Sequence, residues 1–166
     1  YKRQIYVLPV KEPRIVLFDR QGRFIRTLVK EGQGPGEFRG ILPCIQVDER
    51  NDRLFLFSNN RVWEYTLEGE FIGQSTHEYS VIYMRHIGKD RFAAISFPFQ
   101  PFNGGGFGLG LFSRKGDTIA IKNDFYSFLL PHEKSGFTTS IAPAYSDAQN
   151  SVLFKTGSND TVFCLS

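Results

Sequence analysis

The chain has 166 residues and a formal net charge of +3, with lysine and arginine scattered among the acidic residues. This length is enough for one ordinary hydrophobic core, and the scattered charge argues against the basic cluster of a nucleic-acid groove. Phenylalanine is unusually abundant at 17 residues, beside 16 glycines. Because aromatic residues favour half-buried pleated surfaces, the composition predicts an all-β fold. No stretch approaches the roughly 18 apolar residues of a membrane-spanning helix.

The first 30 residues contain three predicted strands, at residues 4–8, 14–20 and 23–29. Pro9 and Pro13 separate the first two strands, because proline lacks the N–H that a central strand needs. Gln21 and Gly22 are predicted to form a two-residue hairpin turn in which glycine supplies a positive φ. These three strands form the first predicted sheet.

A glycine-rich connector, GQGPGEFRG at residues 32–40, leads into the most regular part of the chain. Four short apolar and aromatic segments follow it at residues 44–47, 54–57, 62–67 and 70–74. Their spacing and tight turns predict a four-stranded antiparallel meander. The connector is not a phosphate-binding loop, because it lacks GK[ST] and precedes a strand rather than a helix. We expect its glycines to act as joints between sheets and Phe38 to anchor it.

A repeat of 47 residues runs through the chain. The turn glycines Gly22, Gly69 and Gly116 are separated by this interval. An aromatic residue precedes each turn and an isoleucine follows it, at Phe18, Tyr65 and Phe112 and at Ile25, Ile72 and Ile119. Repeats of about 40–50 residues with four strands each are typical of β-propeller blades.

The rest of the chain continues this repeat with strands predicted at residues 81–87, 91–97, 108–114, 117–122, 141–146, 151–155 and 161–165. The sequence therefore predicts a single partial propeller domain over residues 1–166, with blade parts 1–30, 41–76, 81–123 and 140–166. These amount to about three and a half blades, whereas a closed ring has roughly four to eight. Since the chain opens on Tyr1, we expect it to be part of a longer protein. Closure by two copies is the alternative.

Several motifs carry a family resemblance: GQGPGEF at 32–38, IQVD at 45–48, RLFLF at 53–57, RVWEY at 61–65 and NDTVF at 159–163. They resemble the NHL-type repeat, and most of all the NHL/TolB-like six-bladed propeller proteins of bacterial cell envelopes, many of them predicted lipoproteins. The resemblance implies an exported protein, either periplasmic or a surface lipoprotein. The third predicted blade departs from it, because no GxGPGEF motif precedes residue 81 and residues 99–106 form an insertion.

Histidine and cysteine give only weak signals of chemistry. His86 and His77 are the weak metal candidates, because a propeller channel can collect ligands from several blades. Neither they nor His132 has the HxH or HxxxH spacing of a zinc site. No cofactor is predicted, and a divalent metal is the alternative. Cys44 and Cys164 are predicted to be buried free thiols, with redox activity of the pair left open.

The segment FPFQPFNGGGFGLGLF at residues 97–112 is the strongest candidate for a binding surface. Its residues Phe99, Phe102 and Phe107, together with Arg85 on a predicted inner strand, are the candidate binding residues. Loops at the ends of a sheet are common binding surfaces, and aromatic rings supply contact area there. The alternative is that these rings pack beneath the loop.

The sequence contains no GxSxG elbow and no CxxC pair, so nothing in it favours an enzyme. The expected function is that of a non-enzymatic binding or scaffold module in the bacterial cell envelope. It would recognise a peptide, glycan or protein partner, with no nucleic acid. The alternative function is a metal-dependent lyase or a lactonase-like hydrolase, with its site in the central channel.

Overall fold

The computed structural model describes residues 4–9, 11–40, 44–79, 81, 83–95, 109–122, 141–146, 151–156 and 162–165. The chain divides into two compact units, Tyr1–Thr76 and His77–Ser166. The described residues form fourteen strands and no helix, so the prediction of an all-β fold is confirmed. Accordingly, no helix in this part of the chain is long and apolar enough to cross a membrane.

The first unit contains two antiparallel sheets. Sheet 1 has three strands, which are β1 (Ile5–Val7), β2 (Arg14–Phe18) and β3 (Phe24–Lys30). Sheet 2 has four, which are β4 (Cys44–Asp48), β5 (Arg53–Ser58), β6 (Arg61–Tyr65) and β7 (Phe71–Thr76). Each strand pairs with its neighbour in sequence, so the predicted four-stranded meander is confirmed.

The second unit also contains two antiparallel sheets. Sheet 3 comprises β8 (Tyr83–His86), β9 (Arg91–Ile95), β10 (Leu109–Ser113) and β11 (Thr118–Lys122). Sheet 4 comprises β12 (Ile141–Ser146), β13 (Ser151–Thr156) and β14 (Val162–Leu165). The four sheets lie within the four blade parts predicted from the sequence. A cluster of buried residues joins sheet 3 to Val152 of sheet 4 through Ile87, Ala93, Ile95 and Leu109.

The hairpins at the three repeat glycines have loops of three residues, so the predicted two-residue turn at Gln21 and Gly22 is wrong. In the first hairpin, the Asp19 N–H donates to the Arg23 carbonyl at 2.9 Å, and the Gly22 N–H donates to the Asp19 carbonyl at 3.0 Å. The hairpins that begin at Thr66 and Ser113 repeat both bonds. This is a type I turn followed by a glycine bulge, a common alternative to the two-residue turn.

The residue that opens each hairpin supplies a side-chain oxygen to the turn. Asp19 Oδ1 accepts from the Arg23 N–H at 2.9 Å, Thr66 Oγ1 from the Glu70 N–H at 3.1 Å, and Ser113 Oγ from the Asp117 N–H at 3.0 Å. The bond from the Arg23 backbone is the main reason that the pKa of Asp19 is lowered. A side-chain acceptor at this position satisfies a backbone donor that the tight turn leaves unpaired.

The core of the first unit lies between its two sheets. Its buried residues come from sheet 1, from the connector and from sheet 2, namely Ile15, Val29, Phe38, Leu54, Leu56, Trp63, Tyr65 and Leu67. Phe38 is completely buried, and its ring meets Trp63 edge to face with centroids 6.4 Å apart. The prediction that Phe38 anchors the connector between sheets is confirmed.

The cysteines differ from expectation in one respect. Both are free thiols, as predicted, but Cys44 is only half-buried and Cys164 is exposed. The prediction that both are buried is therefore wrong. Among the described residues β14 pairs with β13 alone, so this strand is covered on one edge only.

Replacing Phe38 with alanine tests the anchor. We expect the Phe38→Ala variant to lose about 3–5 kcal/mol of unfolding free energy, because a buried ring is removed from a filled core. Phe24→Ala is the control, because Phe24 is 59% exposed on β3 and its removal leaves no buried cavity. Denaturant unfolding measures both. Equal losses in the two variants would contradict the role of Phe38.

Gly69 and Gly73 allow a comparison of one glycine that the backbone requires with one that it does not. Gly69 has φ +89°, and an added Cβ would lie 2.9 Å from the Leu28 carbonyl oxygen, whereas a Cβ on Gly73 meets nothing within 4 Å. We expect Gly69→Ala to lower the unfolding free energy by at least about 1–2 kcal/mol. Gly73→Ala should leave it unchanged or raise it by up to about 1 kcal/mol. Thermal unfolding of the matched pair checks this ordering.

Candidate functional site

The connector, residues 32–40, is a fixed loop. The Gly32 N–H donates to the Phe38 carbonyl and the Glu37 N–H to the Gly34 carbonyl, both at 3.1 Å. The Tyr65 hydroxyl, reaching from β6, donates to the Gly36 carbonyl at 3.0 Å. Burial, and then the negative charge of Glu37, raise the pKa of Tyr65 well above its usual range, so the hydroxyl keeps its proton. The loop conformation is therefore set by the protein and not left to a ligand.

The carboxylate of Glu37 is used within the connector itself. Its Oε2 accepts from the Gly34 N–H at 2.8 Å, and its Oε1 lies 3.8 Å from Lys30 Nζ. A Cβ at Gly32 would lie only 1.8 Å from Glu37 Oε2, so glycine there makes room for the carboxylate. The one negative charge of this loop is thereby bonded to its own backbone.

The connector also lies closely against β7. Gly36 has φ +75°, and a Cβ there would lie 2.7 Å from Cβ of Phe71. The Phe71 ring meets Tyr65 edge to face with centroids 5.6 Å apart. Glycine at position 36 is therefore required both by the backbone conformation and by the close approach of Phe71.

A cleft of about 510 Å³ opens between the connector and sheet 2. It is lined by connector residues 33–37, by Arg39, and by Arg61, Trp63, Phe71, Gly73 and Gln74 of β6 and β7. This volume falls in the range of roughly 300–1,000 Å³ that small-molecule sites occupy. We name it the connector cleft.

The lining of the connector cleft combines polar and apolar surface and includes two arginines and two aromatic residues. Arg39 and Arg61 are both exposed. The Arg39 Nε donates to the Gly32 carbonyl at 3.4 Å, while no residue in the described part of the chain pairs with the Arg61 side chain. Among the described residues, Glu37 is the one acid in the lining. Neither guanidinium forms an ion pair with a carboxylate in this part of the chain, so the two arginines give the lining a net positive charge.

The two predicted metal candidates lie in an aromatic environment. His77 is 1% exposed, and its ring meets those of Phe92 and Phe112 at centroid distances of 6.1 and 5.1 Å. His86 is half-buried and meets the same Phe92 ring at 5.4 Å. Within the described ranges no group of three or more His, Cys, Asp or Glu side chains could hold a metal. The structure thus brings both histidines to one phenylalanine rather than to a set of ligands.

Burial lowers the pKa of His77 below its ordinary value of 6.5, and hydrogen bonding with the Gly116 backbone opposes this effect. The neutral imidazole is therefore the form that the folded unit accommodates. This environment suits a packed histidine better than a proton-transfer group that must meet solvent.

The predicted binding residues are only partly located by the structure. Arg85 is half-buried on β8, where it pairs with Ala93 of β9. Phe99, Phe102 and Phe107 lie outside the described residues, as does His132. The hypothesis of a binding surface in this loop therefore stays a prediction.

The connector cleft was missed by sequence reasoning, which treated the connector as purely structural. A signal was present in the strands. Arg61 and Trp63 on β6 are two residues apart and therefore share one face of the sheet, and Gln74 of β7 pairs with Trp63 on that face. An arginine and a glutamine beside a tryptophan on one face are unusual for a surface that only packs.

Comparison with known proteins assigns the family. Residues 1–166 match the family described as domain of unknown function DUF4934. The chain belongs to this family. A crystal structure of a candidate exported protein from Bacteroides fragilis NCTC 9343 matches 99% of the chain at a TM-score of 0.72 and 18% sequence identity. The chain spans 45% of that protein's length, and the likeness shows the fold alone. No curated protein matches the sequence.

The buried His77 predicts a dependence of stability on pH. Because its pKa is lowered in the folded state, the unfolded state binds the proton more readily, and the unfolding free energy should fall as pH decreases below about 6.5. The loss should end once pH is below the folded-state pKa. We expect His77→Gln to flatten this fall between about pH 7.5 and 5.5, and His86→Gln to retain it. Chemical unfolding across this range measures the slope, and an unchanged slope in His77→Gln would contradict the assignment.

Proposed function

We propose that this chain is part of a β-propeller that serves as a non-enzymatic binding module of the bacterial cell envelope. Its partner is a peptide, a glycan or a protein, bound at the connector cleft. Three observations support the propeller architecture. The sheets are antiparallel and consecutive in the chain, the hairpins repeat every 47 residues, and the core is shared by sheets 1 and 2 and by sheets 3 and 4. The resemblance to NHL-type proteins supports a six-bladed ring.

Export is supported by a structural relative. The Bacteroides fragilis protein that shares this fold is named as a candidate exported protein. The NHL-like motifs point the same way, because the proteins that they resemble belong to cell envelopes. Both support the proposal that the protein is exported, as a periplasmic protein or a surface lipoprotein.

The observation that carries the binding function is the preformed connector cleft. Its loop is held by the Tyr65 hydroxyl and by backbone bonds, so little ordering is needed when a ligand enters, and preorganisation of this kind favours binding. Among the described residues, the lining contains no histidine, cysteine or serine, and its one carboxylate is already bonded within the loop. Such a set recognises a ligand but offers no base and nucleophile for turnover.

The enzyme alternative makes a distinct prediction. A metal-dependent lyase or hydrolase would contain a stoichiometric divalent ion in the full-length protein. That ion would be lost on His86→Ala. Elemental analysis of the purified wild-type protein and of this variant distinguishes the two functions, because the binding module requires no such ion.

Blocking the connector cleft tests the binding function. Gln74→Trp adds a large side chain at an exposed lining position of β7, on the residue that pairs with Trp63, so the fold should persist while the cleft is filled. We expect the full-length variant, screened against arrays of envelope peptides and glycans, to bind the ligands of the wild-type protein at least about tenfold more weakly, a loss of about 1.4 kcal/mol.

Ala120→Trp is the control, because Ala120 is exposed on β11 and does not line the cleft. This variant should keep every ligand. If Gln74→Trp and the wild-type protein bind the same ligands equally well, the connector cleft is not the site.

A further inference from the structure

We infer that the ligand of the connector cleft is a sugar acid, whose carboxylate pairs with Arg61 and Arg39 and whose ring lies against Phe71. This inference rests on the proposed binding function, because it names the ligand class of the same cleft. It follows from three properties of the lining, which are its unbalanced charge, its fixed aromatic ring and its side-chain amides.

The charge of the lining selects an anion. Two arginines line the cleft, and the one carboxylate, that of Glu37, is engaged by the Gly34 N–H and lies near Lys30. A planar guanidinium matches a carboxylate with two parallel hydrogen bonds. Because Arg39 is held by the Gly32 carbonyl and Arg61 has no partner among the described residues, we assign the main contact with the carboxylate to Arg61.

The aromatic part of the lining selects a ligand with an apolar face. Phe71 is 44% exposed, and its position is fixed by Tyr65 on one side and by the close approach of Gly36. A fixed, exposed ring provides contact area at little cost in conformational entropy. The C–H face of a pyranose is a flat apolar surface of comparable size.

The remaining polar side chains suit hydroxyl groups. Gln33 and Gln74 are both exposed in the lining. A side-chain amide can both donate and accept hydrogen bonds, and each hydroxyl of a sugar can do the same. With about 510 Å³, the cleft has room for one or two sugar rings. Because the backbone of a peptide could also bond these amides, an acidic peptide is the competing ligand, and its binding in place of glucuronate is an outcome of the test.

Isothermal titration calorimetry on the full-length protein tests the inference with d-glucuronate, or its short oligomers, and the uncharged counterpart d-glucose. We expect glucuronate to bind at least about tenfold more tightly than glucose, and its affinity to fall as salt is raised from about 0.05 to 0.5 M. Arg61→Gln should remove most of this preference. Arg20→Gln, which deletes the same charge from an exposed turn outside the cleft, should not.

The outcomes distinguish failure of the sugar-acid assignment from failure of the proposed binding function. Equal binding of glucose and glucuronate, a preference unaffected by Arg61→Gln, or binding of an acidic peptide in place of glucuronate would each overturn the sugar-acid assignment. In each case ligands lost in Gln74→Trp would still support a binding module. If no ligand on the arrays depends on the cleft, the proposed function fails as well.

Discussion

The burial of Phe38 is the contact on which the rest of the first unit depends. Its ring belongs to the core shared by sheets 1 and 2 and meets Trp63 edge to face. Because Phe38 lies near the end of the connector, its burial fixes that loop against sheet 2. Trp63 then has two roles, since it packs in the core and also lines the connector cleft. The shape of the cleft is thus a direct consequence of how two sheets pack.

The three repeats share the same hydrogen bonds at their turns, although the residues that make these bonds differ. Asp19, Thr66 and Ser113 differ in charge and branching, yet each supplies an oxygen to the same turn position. The register shifts by one residue before each of the three turns, at Leu17/Phe18, Glu64/Tyr65 and Leu111/Phe112. A bulge at a fixed place in each hairpin increases the local twist, so the three hairpins bend alike despite different sequences.

The strands were predictable because apolar runs bounded by polar turns determine where antiparallel pairing begins and ends. The length of the turns was not predictable from the sequence, because a glycine before the returning strand suits either a two-residue turn or a type I turn with a bulge. The oxygen-bearing residue three positions before Gly22 distinguishes them. The cleft was hidden for another reason, since Gln33 and Arg61 are far apart in sequence and only the packing of the connector against sheet 2 brings them together. The burial of His77 likewise depends on packing that spacing does not encode.

The double role of Trp63 has an evolutionary consequence. A substitution there alters the wall of the cleft and the junction of two sheets together, so selection for a new ligand would be opposed by selection for folding. The exposed positions, Gln33, Arg39, Arg61 and Gln74, lie outside the core cluster and carry no such conflict. Under the proposed binding function, divergence in ligand preference among members of this family should therefore concentrate at these four exposed positions, while the aromatic residue at position 63 changes slowly.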